Sequence, residues 1–415
     1  MKVSRRGLIG GGTAVAGVAA GFAVGEVYAG RGSDDAAGAT TTYPFRGVHQ
    51  AGIVTPAQDR LHLAAFDITT GSRAQLVALL KAWTVAAERM TQGLPAGEVG
   101  PTDGAPLVPP DDTGEAIGLS PGGLTITFGF GPGMFRDGRG RDRFGLADRQ
   151  PDALRDLPHF PGDQLDPQRS RGEIVVQACS QDPQVAFHAV RNLARIGFGT
   201  VAVRWSQLGF GRTSTTSTSQ STPRNLFGFK DGTLNVKAEE TEALDRFVWV
   251  GDEDQPWLAG GSYLVSRRIN MQIETWDRQG LQPQEDVVGR TKASGAPLSG
   301  GTEFTPLDLS LQGSDGPLIP ADSHVAVVSA GNHGGVRMLR RGYNFVDGSN
   351  VLGGLDAGLF FIAFVRDPAT HFIPLQNAMA SSDAMMEYLR FTSSAIFAVP
   401  PGTAPGEHVG QALFR

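Results

Sequence analysis

Two stretches of the 415-residue chain hold residue types that do chemistry. The first, NLFGFKDGTLN (225–235), presents Asp231 between Lys230 and Gly232. Asp-Gly between apolar runs is a hairpin signal, because both residues tolerate positive φ. A carboxylate held in such a loop is equally a carrier of protons. These residues alone leave both readings open. The second stretch, ADSHVAVVSAGNHGGVRMLRRGYNF (321–345), opens a β-branched run with His324 and later reaches the pair Arg340-Arg341. A strand starting at 324 places the histidine at its mouth, and the intervening chain allows a hairpin that returns past it. The competing reading is a surface histidine and a basic strand end.

Other chemistries lack their residues. None of the eight histidines pairs as His-x-x-x-His, and His-Glu-x-x-His is absent, so a zinc hydrolase is unsupported. There is no Gly-x-Ser-x-Gly elbow and no Walker loop, and GFGPGMF and VLGGLDAGLFF lack the strand–loop–helix setting of a dinucleotide fingerprint. The single cysteine, Cys179 in EIVVQACSQD, excludes an intrachain disulfide and a Cys-x-x-Cys-His attachment, so any haem is held non-covalently. It reads as a small buried residue. A formal charge of −6 without a basic stripe argues against nucleic acid as a partner.

The elements that must position these groups follow from periodicity. HLAAFDI (62–68), LTITFGFG (124–131), GEIVVQACS (172–180) and VAVRWSQLGF (201–210) suit strands. RAQLVALLKAWTVAAERMTQG and DPQVAFHAVRNLARIG suit helices, the second with Asp182 as N-cap and Pro183 at its first position. Strand–helix–strand–strand–helix–strand is a ferredoxin-like order. The Ser/Thr-rich GRTSTTSTSQSTPRN (211–225) reads as a loop, after which the pattern restarts. Strands are expected at 262–277, 324–331 and 358–367, with a helix at 375–391. The predicted class is α+β, two ferredoxin-like halves of antiparallel sheet with peripheral helices, 43–225 and 226–415. Residues 1–29 read as a signal peptide with a twin-arginine motif, Ser4-Arg5-Arg6-Gly7-Leu8-Ile9, the alternative being an uncleaved anchor, and 30–42 as a linker. A cysteine-poor chain with this address suits folding and cofactor loading before export.

The Gly-x-x-Asp-Gly core of GFKDGT, the downstream DSHV, MLRRGYNF and DAGLFFIAF, in that order, resemble the dye-decolorizing peroxidases, a haem family, and most closely its exported twin-arginine branch. GVHQAGI (47–53) and LPHFPGDQLDP (157–167) extend the likeness over most of 45–400. The resemblance implies one non-covalent haem b per chain, with His324 as its proximal ligand and Asp356 as the carboxylate that orients the imidazole. Asp231 and Arg340 would lie over the open face. There the acid shuttles a proton between peroxide oxygens and the guanidinium stabilises the departing oxygen. Arg341 would point to the other side of the strand. Gly232, Thr233 and Leu234 would lie against the haem, with Ser329, Ala330 and Gly331 as further contacts and Arg224 and Asn225 within reach of propionates.

One stretch departs from the family. Its members often continue from the histidine with Ile-Arg-Leu-Ala-Asn-Pro-Arg, whereas this chain has Val325-Ala326-Val327-Val328-Ser329-Ala330-Gly331, without the basic support. His333 is a rival ligand on paper, disfavoured by its short spacing to Arg340.

The implied activity is reduction of hydrogen peroxide with one-electron oxidation of bulky phenols or dyes. Trp249, Trp257, Trp276, Tyr263 and Tyr343 are candidates for carrying electrons, although aromatics at strand positions are more often core. The second reading is a haem-handling protein that releases iron from haem beside a membrane ferrous-iron transporter. The third is a haem-free binding protein. A homo-oligomer and a periplasmic, cell-envelope or secreted location are the remaining expectations.

Overall fold

A computed structural model of the chain describes residues 41–415 apart from residues 315 and 352. The signal and most of the linker fall outside the described residues. The first half consists of β1 (Arg60–Ile68), α1 (Arg73–Thr91), β2 (Thr125–Phe130), β3 (Ile174–Ser180), α2 (Pro183–Ile196) and β4 (Val201–Arg212). Its strands lie side by side in the order β4-β1-β3-β2, all antiparallel, which is the ferredoxin-like arrangement expected from the pattern. Helix starts follow local chemistry. The Ser72 side chain accepts from Gln75 N at 3.3 Å, and Asp182 accepts from Gln184 N at 2.7 Å ahead of Pro183. Leu76, Leu80, Trp83 and Ala87 recur at helical spacing on the inner face of α1, and Trp83 Nε1 donates to the Leu193 carbonyl of α2 at 2.7 Å.

The second half repeats the winding with β5 (Ser262–Met271), β6 (Leu339–Arg340), β7 (Tyr343–Ser349), β8 (Leu355–Val365), β9 (Leu389–Phe391) and β10 (Ala395–Val399). Strands β6 and β7 run along one edge of β8, interrupted at Arg341-Gly342, and β9 and β10 share one edge of β5. Because β5 also pairs with β8, the ten-stranded sheet closes on itself. The seams between halves are narrow. Phe210 and Arg212 of β4 meet Asn344 and Tyr343 of β7, and Phe130 of β2 meets Ala398 of β10.

Closure buries the strands on both faces. In β1, Leu61, Leu63 and Ala65 join Val175, Cys179, Tyr343, Phe360 and Phe364 inside the barrel. Ala64, Phe66 and Ile68 face outward under α1 and α2. The period of two separates these clusters, and each takes residues from both halves.

Several segments depart from the expected elements. Residues 324–331 are no strand. His324–Val327 is a helical turn, followed by another at Ala330–His333. The edges of β8 and β5 are already taken, so an extended segment here would leave backbone groups unpaired. A helix satisfies them locally, as in Val328 N to His324 O at 3.1 Å, and overrides the β-branched preference. The strand predicted to 277 ends at Met271 and turns into a short helix, Ile273–Trp276. The helix predicted over 375–391 is Ile373–Ser382, broken at Asp383, a 3-10 turn Ala384–Tyr388, and β9. The Ser/Thr-rich stretch is buried from Thr213 to Ser217, since its hydroxyls find backbone partners, Ser214 on the Arg340 carbonyl and Thr216 on the Thr55 carbonyl, each at 2.7 Å.

Candidate active site

Asp231 is presented just after a turn, and Asp231-Gly232 does not form the turn itself. Gly228 N donates to Asn225 O at 2.9 Å, Asn225 N to Phe229 O at 3.0 Å, and Arg224 bridges Lys230. The turn is fixed from below by Phe227 and Phe229. Both are buried among Ile269, Met271, Trp276, Met385 and Tyr388, with Phe227 stacked on Trp276 at 4.2 Å. Gly232 has φ of 82°, and a Cβ there would come within 2.7 Å of Ser214 Cα. The neighbouring chain and the backbone angle therefore require glycine here. Thr233 holds Glu303 at 3.3 Å, and Leu234 is exposed. Glu303 also pairs with Lys230.

Asp231 Oδ1 accepts from Arg340 Nη1 at 3.0 Å, and Oδ2 receives Asn225 Nδ2 at a longer 3.3 Å. Asn225 thus serves the acid, and the Arg224 guanidinium is spent on the carbonyls of Gly228, Lys292 and Ala293, so neither is set for a propionate. Arg340 is gripped by the buried Asn235 amide, which accepts from Arg340 N at 2.7 Å and donates to Arg340 O at 2.8 Å. Arg341 points the other way. It is wholly buried and donates to Thr55 O at 2.5 Å and to Gln58 of the first half.

His324 Nδ1 lies 2.7 Å from Asp383 Oδ2. Asp383 is shut off from solvent, and its other oxygen accepts from Met385 N at 2.9 Å, so the acid starts one turn while it steers the imidazole. Packing around the ring opposes a positive charge. The Asp383 carboxylate outweighs that, leaving the His324 pKa raised above its ordinary 6.5, and Asp231 and Arg340 act on the same ring with opposite signs. Asp231 and Arg340 are therefore within electrostatic reach of His324. Among the described residues Nε2 has no hydrogen-bond partner, and 25 % of the side chain stays accessible.

Asp356 does not hold the histidine. It lies on β8, where Arg268 Nη2 and Asn270 Nδ2 bind its Oδ1 at 2.8 and 2.9 Å. The cause is topological: the start of β8 faces β5, whereas the chain beside His324 comes from the break after Ser382. Asp383 was missed because it interrupts a helix-like run, and an acid at such a break, N-capping the next turn, was the available signal. His333 is engaged by the Val327 carbonyl at 2.7 Å. Ser329 and Ala330 are half-buried and Gly331 is exposed; the Ser329 hydroxyl is buried without a partner. Trp257, Trp276, Tyr263 and Tyr343 are core residues, and Trp249 is buried against His49, stacked at 3.7 Å. A cleft of about 440 Å³ between Pro110, Asp112 and Arg191 lies on the first half and contains none of these groups.

An anchored imidazole with Nε2 unengaged, an orphan hydroxyl five positions on, and an acid–guanidinium pair within reach fit a haem ligand and an oxygen-handling side. Comparison with known proteins decides the family. The Dyp-type peroxidase N-terminal model matches residues 50–211 and its C-terminal model residues 222–404. The chain belongs to the Dyp-type peroxidases. It is 38% identical to the dye-decolorizing peroxidase of Thermobifida fusca, over 88% of this chain and 84% of that protein. It is 34% identical to the deferrochelatase of Escherichia coli K12, over 90% and 87%. Among solved structures, the oxyferrous complex of DtpA from Streptomyces lividans superposes with a TM-score of 0.82 at 40% identity, covering 91% of this chain and 98% of that one. A DyP-type peroxidase from Cellulomonas bogoriensis follows at 0.79 and 36%, covering 91% and 99%. Haem is the cofactor of this family, and the α+β expectation of two ferredoxin-like halves is borne out.

Proposed function

We propose that Asp231 and Arg340 activate hydrogen peroxide beside a haem that His324 would hold, in a peroxidase that takes electrons singly from bulky phenols or dyes. The observation that carries this is the convergence of the Asp383-anchored imidazole with the Asp231–Arg340 pair. When bound, haem supplies the iron that exchanges electrons with peroxide and reductant. His324 would hold that iron through Nε2, with Asp383 keeping the proton on Nδ1 and fixing the ring plane. Asp231 Oδ2, held only by the longer Asn225 contact, takes the proton from the inner peroxide oxygen and returns it to the outer one, so that water leaves. Arg340 orients Asp231 through its 3.0 Å hydrogen bond and stabilises charge on the departing oxygen. Ser329, Ala330 and Gly331, together with Gly232, Thr233 and Leu234, would line the haem edge.

The test is Asp231→Asn in haem-loaded protein, with the Soret band and peroxide turnover read together. A retained band with lost turnover supports the assignment, and unchanged turnover overturns it. The deferrochelatase relative favours a second reading, iron release from haem beside a ferrous-iron transporter. Both readings require His324, but only the peroxidase needs Asp231 to move protons. Iron release that survives Asp231→Asn would favour the second. Export through the twin-arginine route to the periplasm or medium, and assembly as a homo-oligomer, complete the proposal. Ser4–Ile9 supports the export.

A further inference from the structure

The barrel interior contains one thiol and one phenol that the peroxidase reading does not use. Cys179 of β3, Leu61 of β1 and Gly209 of β4 are successive register partners across the sheet. Gly209 has no side chain, and a Cβ built on it would lie 2.6 Å from Tyr343 Cβ and 3.2 Å from Leu61 Cβ. The gap at Gly209 therefore admits the Tyr343 ring from β7 toward β1 and β3. Cys179 and Tyr343 are both fully buried in the same cluster. The Tyr343 hydroxyl has no hydrogen-bond partner among the described residues. Burial, and then the neighbouring Cys179, push its pKa well above the usual 10.

A buried hydroxyl left unmatched costs free energy that phenylalanine would avoid. Here that hydroxyl shares its buried cluster with the only cysteine of a chain whose family consumes an oxidant.

We propose that Cys179 and Tyr343 become joined by a thioether, Cys179 Sγ to the ring carbon beside the Tyr343 hydroxyl, when peroxide is turned over without an external reductant. The S–H bond and one ring C–H bond break and one S–C bond forms. The two electrons and two protons released go to hydrogen peroxide, which becomes two waters. This rests on the peroxidase reading for its oxidant. The link would drain stored oxidising equivalents and strap β3 to β7, stiffening the seam between the halves.

The experiment treats the haem-loaded full chain with hydrogen peroxide in the absence of dye, then unfolds and alkylates it for intact-mass and peptide analysis. Dye turnover is assayed on the same preparation. The expected result is loss of two hydrogens, a Cys179 that no longer alkylates, and a cross-linked peptide pair, all absent in Cys179→Ala and Tyr343→Phe. Active protein whose Cys179 still alkylates at unchanged mass, or gains oxygen as a sulfenic or sulfinic acid, overturns the thioether and leaves the peroxidase intact. Protein that binds haem but consumes no peroxide sinks the peroxidase reading, and the proposed cross-link with it.

Discussion

The Asp383–His324 contact and the Asp231–Arg340 contact hold two carboxylates in unlike surroundings, and the proposed reaction would divide its work between them. Asp383 is sealed and its oxygens are committed, whereas Asp231 keeps one lightly held oxygen. His324→Ala should abolish the Soret band of protein purified from haem-supplied cells. Asp383→Asn should keep haem but lower affinity or turnover about 10–100-fold, the usual cost of losing a carboxylate behind a metal-bound histidine, as read by haem titration and peroxide kinetics. Asp231→Asn should cut turnover about 10²–10⁴-fold with the spectrum preserved. Arg340→Leu should cost less than the product of its own effect and that of Asp231→Asn when the two are combined, because the residues act as a pair. Asp231 and Arg340, which are in contact, and His324 were singled out from residue type, order and resemblance. Asp383 was not, since a contact between segments far apart in the chain leaves no local mark.

At the scale of elements, what could be read was what repeats. Strands β1 to β4 and their helices announce themselves by period, and Asp182-Pro183 by cap chemistry. The turn at His324 has β-branched letters and helical structure, because pairing edges are allotted by the whole sheet and not by the segment. One strand also carries a pH response. His62 on β1 is buried, stacks on Phe187 at 5.8 Å, leaves Nδ1 without a partner, and burial lowers its pKa from 6.5 to about 4. The unfolded chain therefore binds the extra proton between those values. The contribution to stability is whole above 6.5, falls as pH drops toward 4, and is gone below. The loss is about 3 kcal/mol at most. Urea melts of His62→Leu should lose that slope. Asn235→Ala should loosen Arg340 and lower turnover with little change in haem binding, which a spectral titration beside peroxide kinetics would check.

For the molecule as a whole, two cores that each draw on both halves predict a single cooperative transition despite the narrow seams. Residues 43–225 expressed alone should lack a native near-ultraviolet circular dichroism spectrum, because the inner face of β1 to β4 would have lost its cover. Two resolved calorimetric transitions would contradict this. The repeated winding has an unequal use. After its first strand the opening half spends the connection 69–124 on a helix that roofs the sheet. The closing half spends 272–338 on a longer excursion that delivers the imidazole. If that detour alone carries the proposed iron ligand, the ratio of porphyrin to polypeptide at saturation should be unity, and stoichiometric titration should find no second, weaker step.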